Sequence, residues 1–222
     1  MHAFTTVIKF SFCAAALAAV SLPAQSAPVP KQGTWTTTLQ ARDLNNDRVV
    51  DAYFDSDLNI TWLANWNLNG LHSWNDANSW ATGLNLYGVT GWRLPSTVDA
   101  PSSYNLKPPV WSSEMAHMFY STLGNKGYPD SGAGLGNTGR FVNMQGAYTD
   151  SYWSGTQTTQ QALNAWRFQL SSGYQSYQPE TYLAYAVAVR DGDVTAIPEP
   201  QALLMMLAGL GVIGFVVRRL KH

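Results

Sequence analysis

Cysteine is almost missing from this chain: the single Cys13 sits in an apolar run near the start. The chain therefore builds no internal disulfide framework and no cysteine-based zinc site. Phe10, Ser11 and Phe12 precede Cys13 where a lipoprotein would carry small residues, so lipidation is not expected. Charge is scarce too, with charged residues making up 12% of the sequence. Between residues 28 and 196 nine cations face thirteen anions, so this body is mildly acidic. It lacks the basic patch that a phosphate backbone requires, which excludes nucleic acid as a partner. Histidine is thin as well, with only His72 and His117 in the body, and His117 stands beside Met115 and Met118 in an expected helix. No Gly-x-Ser-x-Gly elbow occurs. The glycines at 132, 134 and 136 lack the lysine and the preceding strand of a phosphate-cradling loop. Asp55 and Asp57 form an acidic pair of the kind glycosidases use, but acids beside a β-rich run commonly face solvent or cap a loop. Catalysis is not expected.

The two ends carry the clearest signals. Residues 1–27 run from Lys9 through an apolar stretch at 10–22 to Pro23 and the small residues Ala24, Ser26 and Ala27. That order of charged, apolar and small segments is a secretory signal peptide, too short for the ~20 residues of a permanent span. Cleavage is expected after Ala24 or Ser26, which makes signal peptidase a partner. At the other end Pro198, Glu199 and Pro200 precede an uncharged apolar run at 202–217, which Arg218, Arg219 and Lys221 follow. As a helix that run rises about 24 Å at 1.5 Å per residue, enough for a span whose flanking arginines snorkel. The basic end stays cytoplasmic and the body lies outside.

These C-terminal residues resemble the PEP-CTERM sorting signal of Gram-negative bacteria, Ile197 standing where valine is commoner. The resemblance implies recognition at Pro198-Glu199-Pro200 by an exosortase-like enzyme. It further implies an inner-membrane precursor, loss of the tail, and transfer to the cell surface or extracellular matrix. A plain membrane anchor is the alternative.

Residues 28–196 have single-domain length and contain all nine tryptophans. Most of these are expected in the core. Strands are expected at 34–41, 59–63, 141–144, 151–153, 165–170 and 183–190. Ser73 followed by Asp76 reads as a capping box, and Ala77, Trp80, Ala81 and Leu84 recur at helical spacing up to Gly88. A second helix is expected from Ser112 or Ser113 through Leu123, with a glycine-rich loop at 124–139. The class is α+β. Two further groups stand out. Asp43, Asn45, Asp47 and Asp51 space oxygens like positions 1, 3, 5 and 9 of a calcium loop. Arg48 stands where glycine belongs and Phe54 where a bidentate acid belongs, so an ordinary Asp/Asn-rich turn competes with calcium. In the run 91–95 Trp92 and Leu94 point to one face, Pro95 ends pairing, and Arg93 faces away toward an acidic neighbour.

Several short words recur in a set order: 57–63 (DLNITWL), 74–78 (WNDAN), 91–95 (GWRLP), 152–156 (YWSGT), Ala165-Trp166 and Ala188-Val189-Arg190. Over about 52–191 this series resembles the Lcl C-terminal domain family, a domain of unknown function related to C-type lectin-like folds. The resemblance implies two helices on a small antiparallel sheet with long loops, and no chemistry. Three functions follow as readings: a surface or biofilm-matrix protein binding carbohydrate or exopolysaccharide, a coat component without a ligand, and an enzyme on a lectin-like scaffold.

Overall fold

The computed structural model describes residues 33–99 and 113–194. The expected leader at 1–27, the sorting motif and the span at 202–217 lie outside them. Among the described residues no helix is long and apolar enough to cross a membrane.

The described residues open with α1 (Trp35–Thr38), one helical turn inside the stretch expected as strand. The threonines explain the difference. Thr37 and Thr38 both return their hydroxyls to the Thr34 carbonyl, which also takes their backbone N–H groups. Local side-chain bonds of this kind compete with a sheet ladder. Pairing starts only at β1 (Leu39–Arg42). β2 (Ala52–Asp55) and β3 (Ile60–Leu63) follow antiparallel.

β4 (Leu71–His72) leads into α2 (Trp74–Gly83). Ser73 caps this helix as expected, its hydroxyl accepting from the Asp76 N–H at 3.3 Å and donating to the Asp76 carboxylate at 2.6 Å. Ala77 and Ala81 are buried, and the helix ends at Gly83 with Leu84 as its C-cap, before Gly88 as expected. α3 (Glu114–Ala116) then begins at the expected Ser113 cap and widens into a π-helix over His117–Thr122. Ser121 lies in its last turn, where helix carbonyls have no partner within the helix. The Thr34 N–H takes the Ser121 carbonyl at 3.2 Å, so the start of the domain docks on this turn. Gly33, at φ +72°, lies directly against the Thr122 carbonyl and the Gly124 N–H, where a Cβ would collide with backbone.

The remaining strands are β5 (Tyr152–Gln157), β6 (Asn164–Gln169), β7 (Tyr174–Pro179), β8 (Ala184–Tyr185) and β9 (Val189–Asp191). They do not form the single small antiparallel sheet that was expected. There are two sheets, ordered β1-β2-β3-β9 and β4-β8-β5-β6-β7, and β5 pairs parallel with β8. The expected strand at 183–190 splits between them. Ala184 to Val189 are apolar except Tyr185 and mostly buried, so the run serves one sheet at each end with its middle in the core. The expected strand at 141–144 is reduced to one bridge between Asn65 and Val142. β2 and β7 were not anticipated.

Aromatic rings join the two sheets. Trp62 of β3 stacks on Trp66 at 5.4 Å and 9°, and Trp66 meets Tyr152 of β5 edge-on at 5.4 Å. Such pairs add about 0.5–1.5 kcal/mol each beyond burial. Trp62, Trp66, Trp92, Trp153 and Trp166 are all fully buried, so the tryptophans are mainly core.

Candidate functional site

The residues singled out in the sequence fall in three places among the described residues. Arg93 makes the acidic contact expected of it, twice. Its guanidinium donates to both oxygens of Glu114, at 2.7 and 2.8 Å, and to Asp191. The Glu114 carboxylate also accepts from the Ser96 N–H at 2.7 Å, so one ion cluster ties 91–96 to α3 and β9. The hydrogen bonds to Glu114 first, then those to Asp191, outweigh burial and hold Arg93 firmly charged. This arginine is structural. Glu114→Gln should lower the unfolding free energy by about 1.5–3 kcal/mol, the scale of a charged hydrogen bond whose partner stays half-buried. A urea midpoint equal to the parent's would contradict that role.

Asp43, Asn45, Asp47 and Asp51 share one turn, with Asn46 and Arg48 at φ +61° and +72°. Their oxygens meet backbone donors of the turn itself. Asp43 accepts from the Arg48 N–H at 2.7 Å, Asn45 from Asp47 at 3.0 Å, Asp47 from Val49 at 2.7 Å and Asp51 from Leu44 at 2.8 Å. Burial, with Asp47 and Asp43 nearby, moves Asp51 above the ordinary aspartate value. Among the described residues no three or more His, Cys, Asp or Glu side chains group to hold a metal ion.

Asp55 and Asp57 separate. Asp55 is wholly buried and accepts from the Asp57 and Leu58 N–H groups and the Thr122 hydroxyl, which also meets His117 Nδ1 at 3.3 Å. Burial pushes Asp55 up to about 6 and His117 down. Both lie under the surface, where Asp55 caps a turn.

The surface with the best site geometry was not singled out from sequence. In a sheet, residues two apart along a strand share a face. The pairing sets Trp153, Arg167 and Ser176 in one row across β5, β6 and β7, with Gln169 and Tyr174 opposite each other in the next row. The opposite face is core, where Phe168 packs edge-on against Phe119 at 5.5 Å. Over the first row folds the turn after β7, which places Arg167 Cζ 5.4 Å above the Tyr182 ring centroid. The same ring meets Trp153 edge-on at 6.4 Å.

Arg167 has no acid partner and no hydrogen bond among the described residues, and its Nε is buried without an acceptor. The carboxylate just after β7, Glu180, is engaged elsewhere, accepting from Gln157 at 2.6 Å and Asn75 at 3.4 Å. Burial pulls Arg167 below the ordinary arginine value, and only the phenols of Tyr182 and Tyr174 act against this. Ser176 is 7% exposed, and its Oγ likewise has no partner. Buried polar atoms are normally satisfied, so unpaired groups in one row mark a surface short of acceptors. Farther along the face Gln169 donates to the Tyr148 carbonyl at 3.3 Å, and Tyr148 is 84% exposed. A signal was present: Arg167 interrupts the otherwise apolar 165–168 at an outward position.

Two clefts lie elsewhere. One of about 280 Å³ is mainly apolar, between Val49, Leu68, Tyr87 and Val142. The other, of about 380 Å³, is of mixed character, between Asn78, Arg93, Leu94, Ser96 and Thr156.

Comparison with known proteins matches residues 196–220 to the PEP-CTERM protein-sorting motif. No curated protein matches the chain. The chain thus carries a PEP-CTERM sorting motif, which implies an exported precursor anchored in the membrane and processed by an exosortase on its way to the cell surface.

Proposed function

We propose that the chain is a non-enzymatic surface or matrix protein whose domain binds carbohydrate on the β5–β6–β7 face, in keeping with its resemblance to lectin-like folds. The observation that carries this reading is the Arg167 row: a half-buried cation with no acid partner beside Ser176, Gln169, Tyr174 and Tyr182. Phenols and amides of this kind pair with sugar hydroxyls, and rings cover the apolar faces of sugars. The sorting motif supplies the destination at which such polymers are met. Export, tail removal by an exosortase-like enzyme and display outside the cell complete the reading.

Full-length protein in detergent should be retained on immobilised extracellular polysaccharide, and Tyr182→Ala should weaken retention roughly two- to tenfold, the scale of one aromatic contact. No retention on any polysaccharide tested would end this reading. A ligand-free coat component is the second reading. The apolar cleft beside the exposed Val49, Leu68, Tyr87 and Val142 favours it, because surfaces of that kind promote self-association.

A further inference from the structure

We infer that the Arg167 row is a receptor for the carboxylate of an acidic sugar, so that the polymer it selects carries uronic acids. The inference rests on the carbohydrate reading of the same face and names the group that the face would select.

The argument begins from what the row lacks. Arg167 offers a planar fork of N–H donors with no acceptor among the described residues, and Ser176 directly across from it adds an unpartnered hydroxyl that is more than nine-tenths buried. The fork needs an acceptor from outside. The Nε is closed to solvent, so an outside acceptor meets the fork at its terminal nitrogens, where an anion supplies two oxygens at once.

Geometry and charge narrow the class. A carboxylate is planar and singly charged, and it meets one guanidinium through two parallel hydrogen bonds. Phosphate groups are usually gripped by several cations or by a helix N-terminus. Here one arginine stands among phenols, amides and a hydroxyl. The body is net negative, so no broad positive field draws a densely charged polymer. Recognition is then a short-range contact with one charge per site. Tyr182 fixes the guanidinium from one side, and Gln169 and Tyr174 lie two residues along the strands, about 7 Å away on the same face.

The test uses the full-length chain in detergent with three polymers of one backbone: a polyuronate, the same polymer with its carboxylates reduced to alcohols, and a sulfated form of the reduced polymer. Wild type should prefer the polyuronate, and Arg167→Gln should weaken that binding by about ten- to a hundredfold while weakening the reduced polymer's binding by no more than a few-fold. Arg167→Lys should restore only part, because it keeps the charge and loses the fork. Ser176→Ala, which removes one hidden hydroxyl and should melt like the parent, should weaken polyuronate binding several-fold. It keeps the test open if the arginine variants fold poorly. Equal binding of polyuronate and reduced polymer would overturn the carboxylate inference and leave the carbohydrate reading standing. Preference for the sulfated form would overturn it as well. Acid preference that survives both Arg167→Gln and Ser176→Ala would place the anion elsewhere. Binding of none of the three, by a protein that still melts cooperatively, would remove both readings together.

Discussion

Trp92→Ala lowers the unfolding free energy by about 3–5 kcal/mol, the usual cost of deleting a large core ring with incomplete collapse of its cavity. Trp92 is 2% exposed, in the core with Leu94, and its indole N–H donates to the Val89 carbonyl at 3.0 Å. Alanine removes the ring and leaves that carbonyl without its donor. For a domain of this size the melting temperature should fall by roughly 6–20 °C. Trp92→Phe keeps most of the packing and loses only the hydrogen bond, so it should cost about 1 kcal/mol. A thermal melt of Trp92→Ala that overlays the parent would show that the ring bears no packing role. The reason for a large effect is continuity. The segment that carries Trp92 bridges to β9 through Arg93 and Val189, and β9 closes the first sheet on β3.

Asp55→Asn should stabilise the domain at neutral pH and do so less as pH falls. The sign follows from the shift. Folding raises the Asp55 carboxyl from 3.8 to about 6, chiefly by burial. Below 3.8 it is protonated in both states and contributes no pH dependence. Between 3.8 and about 6 the folded state holds the proton more tightly, so stability drops as pH rises. Above about 6 the full cost of burying the charge is present, on the order of 3 kcal/mol. Asparagine keeps an oxygen for the Asp57 and Leu58 N–H groups, and its amide can donate to Thr122, whose hydroxyl then turns to His117. His117 acts in the opposite direction: its value is lowered by burial, so its contribution is lost as pH falls through the unfolded value of 6.5. Making the comparison in a His117→Gln background removes the histidine titration and isolates Asp55. The variant's advantage should grow from pH 4 to pH 6 and then level off. A constant gap across that window would mean that Asp55 titrates like a surface acid.

Local chemistry was legible where one residue dictates one bond. Ser73 and Asp76 cap α2, Ser113 starts α3, and Arg93 finds acids because a half-buried guanidinium needs them. The charge-poor, cysteine-poor composition announced a core built on tryptophan, and five of the eight tryptophans among the described residues are fully buried. The sorting motif was legible too, since it is a linear word read by an enzyme rather than a folded surface. The strand at 34–41 misled because its threonines satisfy one carbonyl locally, a competition that alternation does not record.

Sequence alone determined the α+β class, the capped helices, the aromatic core and the address carried at residues 196–220. Tertiary structure alone decided that Leu183 to Arg190 serves two sheets, that Asp55 sits buried beside Thr122, and that Arg167 lies across from Ser176 and beneath Tyr182. The physical reason is range. Caps and sorting words act within a few residues of chain, whereas burial and strand register are set by partners up to some 130 residues away, as in the pairing of Ile60 with Asp191.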